Sequence, residues 1–299
     1  MTPSLKNHLE LHFIVLIYGF TAILGRLISL QAEVLVGWRM LITVLGLSVV
    51  IISRHNAFRL PKRLVLHYAL IGVVVAMHWF TFFHAIKIAN ISVALGGLAS
   101  TTLFASILEP LLLRRRFRLL ELLIGLMIIG GLYMIFRFET RYFYGILTAV
   151  TSAFLAALFT VMNKKFIQRD ACSPLVIGTI EMGSGLLAII IYLAATGLIV
   201  SPAMIPSPMD WFWLSLLAIG CTAYPYIATI GLMKHLSAYT VTLSVNMEPV
   251  YGILMAYFIF GQSEMMTTGF YLGTAVILIS VFVYPILLRL FYQPSKTQS

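Results

Sequence analysis

Charge is scarce in this sequence. Of 299 residues only 10% are Asp, Glu, Lys or Arg, against ~25% in an ordinary soluble domain, while 61% are hydrophobic. So few charges cannot cover the apolar surface that one globular core of this size leaves over, which argues against a soluble enzyme. Cysteine is scarcer still: Cys172 and Cys221 stand alone and form neither a disulfide framework nor a metal-ligand spacing. There is no HExxH zinc pair, no paired aspartates, no GxSG serine loop and no phosphate-cradling glycine loop. The nearest approach is MGSG, Met182 to Gly185, which lacks the first glycine of the serine loop. His78 and His84, six apart on one apolar run, fall on different helix faces at ~100° per residue and make no metal site. No catalytic residue or metal is therefore expected. Long loops are also missing, so no folded extramembranous domain is expected.

What the sequence has is apolar runs. They fall at about Leu11 to Leu30, Ala32 to Ile52, His67 to Ile86, Ile91 to Leu113 and Leu119 to Phe136. Five more follow at about Tyr142 to Met162, Pro174 to Val200, Trp211 to Met233, Ala238 to Phe260 and Met266 to Leu290. A helix needs ~20 apolar residues to cross the hydrocarbon core, so the expectation is an all-α integral membrane protein with ten transmembrane helices. The first run continues past Phe20 without a small-residue cleavage pattern and reads as a span rather than a signal peptide.

The net charge of +10 would raise the question of nucleic acid in a soluble protein, but here the basic residues punctuate the apolar runs. They are read as orienting the spans, since cytoplasmic loops carry the excess of Lys and Arg, and no nucleic-acid partner is expected. With the amino terminus inside, the inner segments hold Lys6, Arg54, Arg59, Lys62, Arg63, Arg114, Arg115, Arg116, Arg118, Lys164, Lys165, Arg169, Lys234, Arg289 and Lys296. The outer ones hold Arg26, Lys87, Arg137 and Arg141. Both termini are expected in the cytoplasm.

Internal repetition is more informative. AIKIANISVALGGLASTTLF (Ala85 to Phe104) lies on LMKHLSAYTVTLSVNMEPVY (Leu232 to Tyr251), with Lys87 on Lys234 and Thr102 on Pro249. GWRML (Gly37 to Leu41) lies on TIEMG (Thr179 to Gly183), so Arg39 meets Glu181, and Gly125 then meets Gly273. Equivalent segments are five spans apart. Five is odd, so the second copy enters the bilayer from the opposite side. The expected architecture is two inverted five-helix repeats, residues 1–140 and 141–299, which in transporters encloses a substrate site at the midplane.

The pattern resembles the EamA-type members of the drug/metabolite transporter superfamily. The likeness is carried by HAIKIANIS (His84 to Ser92), by GLMKHLSAYTVTLSVNMEPVYGILMAYFIFGQSE (Gly231 to Glu264) and by GWRML in the second run. Departures are Gly261-Gln262 where the family has Gly-Glu, and Thr101-Thr102 in place of its dipeptide, with Glu109-Pro110 following later. The resemblance implies movement or export of small metabolites, often amino acids or related compounds, across a bacterial inner membrane. It implies no cofactor, a small-molecule substrate and the lipid bilayer as partners, and it is compatible with a monomer. The alternatives are a membrane-embedded enzyme and a non-transporting scaffold.

Most acids, Glu121, Glu139, Asp210 and Glu264 among them, fall in loops or near span ends. Glu109, Glu181 and Glu248 lie inside apolar runs, where a charge costs ~2.5–3.5 kcal/mol on insertion scales and by default faces a cavity or a partner. Glu248 precedes Pro249, a helix break that frees a carbonyl one turn earlier. It is read either as binding a substrate amine or a proton, or as a packing group bonded to a neighbouring helix. Asn246 and Ser244 complete its polar face. Arg39 grips a substrate carboxylate in two-point fashion, or forms a structural ion pair with Glu181 across the pseudo-twofold. Glu109 is read as snorkelling toward Arg114 to Arg116. Trp79, and Tyr224 with Tyr226 about the second helix break at Pro225, either line an aromatic pocket or simply pack. Small residues such as Gly96, Gly97, Ala153, Ala157, Gly183 and Gly185 mark close helix approach.

Overall fold

A computed structural model of the chain describes residues 5–53, 61–114, 116–167, 173–225, 228, 232 and 244–291. Tyr226, Lys234, Arg54, Arg59, Arg115, Arg169, Cys172 and Lys296, all used in the reading above, lie outside the described residues.

Every regular element among the described residues is helical. In the first half these are α1 (Leu5–Leu27), α2 (Ala32–Ser53), α3 (Lys62–Ile88), α4 (Ile91–Leu98), α5 (Thr101–Leu113) and α6 (Leu119–Phe138). The second half has α7 (Phe143–Ile167), α8 (Pro174–Ala195), α9 (Pro208–Ser215), α10 (Glu248–Phe260) and α11 (Thr268–Phe291). α9 runs on as a wide, π-type turn over Leu216–Ala223. Among the described residues seven segments are long and apolar enough to cross a membrane, with Thr268–Tyr284 a shorter apolar helix. Leu45, Val49 and Ile52 on α2, Leu122, Leu126 and Ile129 on α6, and Leu254, Phe258 and Ile259 on α10 all stand exposed. Apolar surface on this scale needs lipid to cover it, and the chain is a multi-pass membrane protein.

Helix starts follow local chemistry. α8 opens on Pro174, where the missing N–H removes only a group that the first turn leaves unpaired anyway. α9 opens on a reciprocal cap in which Ser207 accepts from Asp210 N at 3.1 Å and Asp210 accepts from Ser207 N at 3.1 Å. The run Ile91 to Leu113 does not form one straight helix. It is interrupted at Ala99 and Ser100, where Ser100 Oγ donates to Gly97 O at 2.6 Å and Thr101 Oγ1 donates to Leu98 O at 2.6 Å. Hydroxyls that bond back to preceding carbonyls compete with the helical ladder, and two adjacent glycines, Gly96 and Gly97, weaken it further.

Packing joins the halves. α2 lies on α8 and α6 on α11, so equivalent helices meet across the molecule. α1 on α10 is matched by α7 on α4 and α5, and α3 on α8 by the wide turn after α9 on α2. Exchanging the halves maps each of these contacts onto its counterpart. Glycine permits the closest crossings: Gly19 meets Gly252, Gly131 meets Gly273, and Gly72 meets the Glu181 carbonyl and Gly185. A methyl group at Gly72 would collide with the backbone of α8, which cannot rotate away as a side chain can. Gly72→Ala is therefore expected to destabilise the protein by roughly 1–3 kcal/mol, measured as a lowered melting temperature in detergent. An unchanged melting temperature would refute this crossing.

Candidate functional site

A cavity of about 300 Å³ lies between the halves, walled by α1, α2 and α3 from the first and α7, α8, the wide turn after α9, and α10 from the second. Arg39, Trp79, Glu181 and Glu248 all stand on its wall. Arg39 is only 5% exposed. Its Nε donates to Thr222 Oγ1 at 2.9 Å, and its guanidinium carbon lies 3.7 Å from the centre of the Trp79 ring and 5.5 Å from that of Phe83. A planar cation over an aromatic face is stabilised by the ring quadrupole, more so when water is excluded.

The wide turn explains how α9 reaches the arginine. Thr222 Oγ1 donates to Leu217 O, five residues back, at 2.8 Å. The expanded turn carries Cys221, Thr222 and Ala223 to the cavity wall. π-type expansions are found frequently at functional sites.

The expected ion pair between Arg39 and Glu181 does not form. The acid within electrostatic reach of Arg39 is Glu248. Glu181, 4% exposed, lies beside Asn163 of α7 instead. The repeat puts Arg39 and Glu181 at equivalent backbone positions, but α8 presents the Glu181 turn to α3 at Gly72, while Arg39 leans toward α3 and α9.

The other expected residues separate. Asn246 is half-buried and Tyr224 is 42% exposed, and neither is among the described residues lining the cavity. Asn246 stands in the turn that precedes Glu248, outside the helix that carries it. Pro249 does not interrupt a continuous helix; it occupies the first turn of α10, directly after Glu248, and the break lies at Asn246 and Met247. Pro225 is buried just beyond the wide turn and off the wall. Glu109 pairs with Lys164 on α7, a partner distant in sequence that the reading of the basic cluster did not include.

Several wall residues had drawn no functional expectation. His78 Nδ1 is 2.9 Å from Ser152 O. The Ser152 hydroxyl lies at the same distance from Nδ1, 2.9 Å. Asn163, Thr43, Thr222 and Tyr18 complete the polar lining. Uncharged polar groups give little signal in an apolar run, because their insertion cost is small beside that of Arg or Glu.

Toward one end of the helix bundle, acids that the sequence places in loops or near span ends are buried and bonded. Glu264 is 0% exposed. It accepts from Ile91 N at 3.2 Å, Ser92 N at 2.9 Å and Ser92 Oγ at 3.0 Å, capping α4, and it pairs with Arg26 at the end of α1. Arg26 also donates to Ser263 Oγ at 2.9 Å and lies 4.3 Å over the Phe260 ring. Asp210 accepts from Ser29 N and Ser29 Oγ, both at 2.6 Å. Glu139 accepts from Thr267 N at 2.7 Å, and Lys87 donates to the Ile28 carbonyl. The cavity extends the other way: Asn163 adjoins Lys164 and Lys165, and Gly178 lies little more than a turn from the start of α8.

The sequence model of the EamA-like transporter family matches residues 11–137 and again 143–284. The chain belongs to this family. Its two matches follow one another along the chain, in keeping with a two-repeat architecture, and members of the family are membrane transporters rather than enzymes. A solved structure described as "Crystal structure of protein" is similar in fold, with a TM-score of 0.65 at 19% identity, covering 95% of this chain and 99% of that one. None of the curated proteins compared matches the chain. In this EamA-like transporter the cavity between the halves brings Arg39, Glu181 and Glu248 together on a largely apolar wall.

Proposed function

We propose that this chain is a secondary transporter that moves small metabolites, amino acids or related compounds, across the bacterial inner membrane by alternating access. Ten spans in two inverted five-helix halves, residues 1–140 and 141–299, rock about the cavity, and both termini face the cytoplasm. The observation that carries this reading is the joint placement of Arg39, Glu181 and Glu248 on one cavity wall between the halves. Such charges are costly in a bilayer and are by default assigned to a solute path. The bonded seal at Glu264, Asp210 and Glu139 lies at the end without the basic cluster, so the conformation is closed outside, with its cavity directed inward.

In this reading Arg39 offers a fixed positive plane to a substrate carboxylate, Glu248 offsets that charge when the cavity holds no anion, and Trp79 keeps the guanidinium oriented. Counterflow of a mixed amino-acid panel in proteoliposomes tests it. Tracer exchange above that of protein-free vesicles is expected, and tracer distribution identical to theirs would sink it. Glu248→Gln keeps the shape but removes the charge facing Arg39, and is expected to lower transport by about tenfold while the protein still folds, with some loss of melting temperature because Arg39 is left without its acid. Wild-type flux in that variant would remove Glu248 from the transport path.

A further inference from the structure

Most polar groups on the cavity wall are already engaged inside the protein. Thr43 Oγ1 donates to Arg39 O at 2.8 Å, Thr222 Oγ1 to Leu217 O at 2.8 Å and Thr21 Oγ1 to Ile17 O at 3.4 Å. His78 Nδ1 is held by Ser152, and Asn163 bonds Glu181. Of the three charged wall groups, Glu181 keeps its other oxygen shut off from the surface. Arg39 differs. It commits only Nε, to Thr222, and its two terminal nitrogens are not closed off from the cavity. Glu248, half-buried, stands near it with a side chain that makes no hydrogen bond among the described residues. The remaining wall is mainly apolar, with Leu47 on α2, Val75 and Phe82 on α3, Leu98 on α4, Phe159 on α7 and Met182 on α8.

We infer that the transported compound carries one carboxylate and a bulky apolar body, the carboxylate on the free edge of Arg39 and the body against Leu47, Val75, Phe159 and Met182. Arg39, Thr43 and Leu47 follow one another at intervals of four along α2 and share one face. That face passes from charged to apolar over a rise of about 12 Å. On α3, Val75 lies one turn before Trp79, the ring that the guanidinium covers. Pockets that fix a ligand by one or two polar groups and hold the rest by apolar contact have this form, and a volume of about 300 Å³ suits a small compound. A hydroxylated or amide-bearing body would lose water and find few free partners, since the wall hydroxyls donate within their own segments. A second carboxylate would meet Glu181 and Glu248 with no second cation among the described wall residues. This inference rests on the transporter reading and narrows its substrate class.

The test uses five probes that share an α-amine: phenylalanine, leucine, serine, aspartate and phenylalaninamide, the last lacking the carboxylate. Binding to the purified full-length protein is followed by calorimetry, and flux by proteoliposome counterflow. Phenylalanine and leucine are expected to bind, and serine and aspartate to bind at least about tenfold more weakly, the difference that burial of a large apolar side chain gives. Phenylalaninamide is expected to lose at least about tenfold against phenylalanine, because it offers Arg39 no charge. Met182→Gln keeps the length of the side chain and places a carboxamide on the apolar wall. It is expected to weaken phenylalanine and leucine by about tenfold and to leave serine as it was, so the leucine-to-serine ratio falls. Val75→Thr, nearly identical in shape, is expected to move the ratio the same way. Serine, aspartate or phenylalaninamide binding as well as phenylalanine, no binding of either apolar amino acid, or an unchanged ratio in both variants each overturns the inference. Counterflow that favours serine or aspartate would overturn it and leave the transporter reading standing. The expected order of binding without counterflow of any probe would do the reverse.

Discussion

Lysine in place of Arg39 is expected to reduce transport by at least about tenfold while the helices remain folded. The guanidinium does three things at once: Nε holds Thr222 on the wide turn, the plane lies 3.7 Å over Trp79, and the charge stands within reach of Glu248. An ammonium is a compact point charge on a flexible stem. It can remain near Glu248 or over the Trp79 ring, but it offers no planar fork and cannot hold Thr222 in the same geometry. The charge is conserved and the volume nearly so, and the loss should therefore appear in counterflow rather than in melting temperature. Wild-type flux in Arg39→Lys would leave Arg39 with a packing role only.

Glu264→Ala is expected to have the largest effect on stability. It strips the acceptor from two backbone amides at the start of α4, from Ser92 Oγ and from Arg26. Each buried donor left unsatisfied costs about 1–3 kcal/mol. The contribution of Arg26, whose side chain is about a third exposed, is reduced by solvent. A loss of roughly 3–4 kcal/mol follows, seen as a melting temperature lower by several degrees. The same change should loosen the sealed end of the cavity. Cys221, a free thiol on the cavity wall, provides a native reporter once Cys172 is replaced by serine. A membrane-impermeant maleimide applied from the outer side should label Cys221 faster in Glu264→Ala than in its parent. Unchanged melting together with unchanged labelling would show that Glu264 does not hold that end shut.

Glu264 also marks the limit of sequence reading. Its position after an apolar run, in GQSE, made it an interfacial loop acid, and it is fully buried. Asp210 and Glu139 followed the same course, as did Glu121, which accepts from Tyr284 Oη at 2.9 Å. Each of the four has a partner more than a hundred residues away in sequence: Ser92 for Glu264, Ser29 for Asp210, Thr267 for Glu139 and Tyr284 for Glu121. Arg39, Glu181 and Glu248 were legible for the opposite reason: a full charge inside an apolar run is conspicuous whatever it touches. Asn163 and Thr222 carry no charge and passed unnoticed, although they shape the cavity as much as the arginine does.

Sequence alone determines that this chain crosses a membrane repeatedly, with charges placed where lipid would reject them, because the cost of insertion accumulates locally along each run. Its two-copy character is also legible, since the copies retain matching segments in order. Tertiary structure alone decides which partner each charge meets. Glu248 rather than Glu181 lies near Arg39, and Glu264 is buried against the start of α4, because helix rotation, the break between α4 and α5, and the wide turn after α9 are settled by packing. A shift of one residue turns a side chain by about 100° on a helix, enough to exchange one partner for another without altering the pattern of apolar runs.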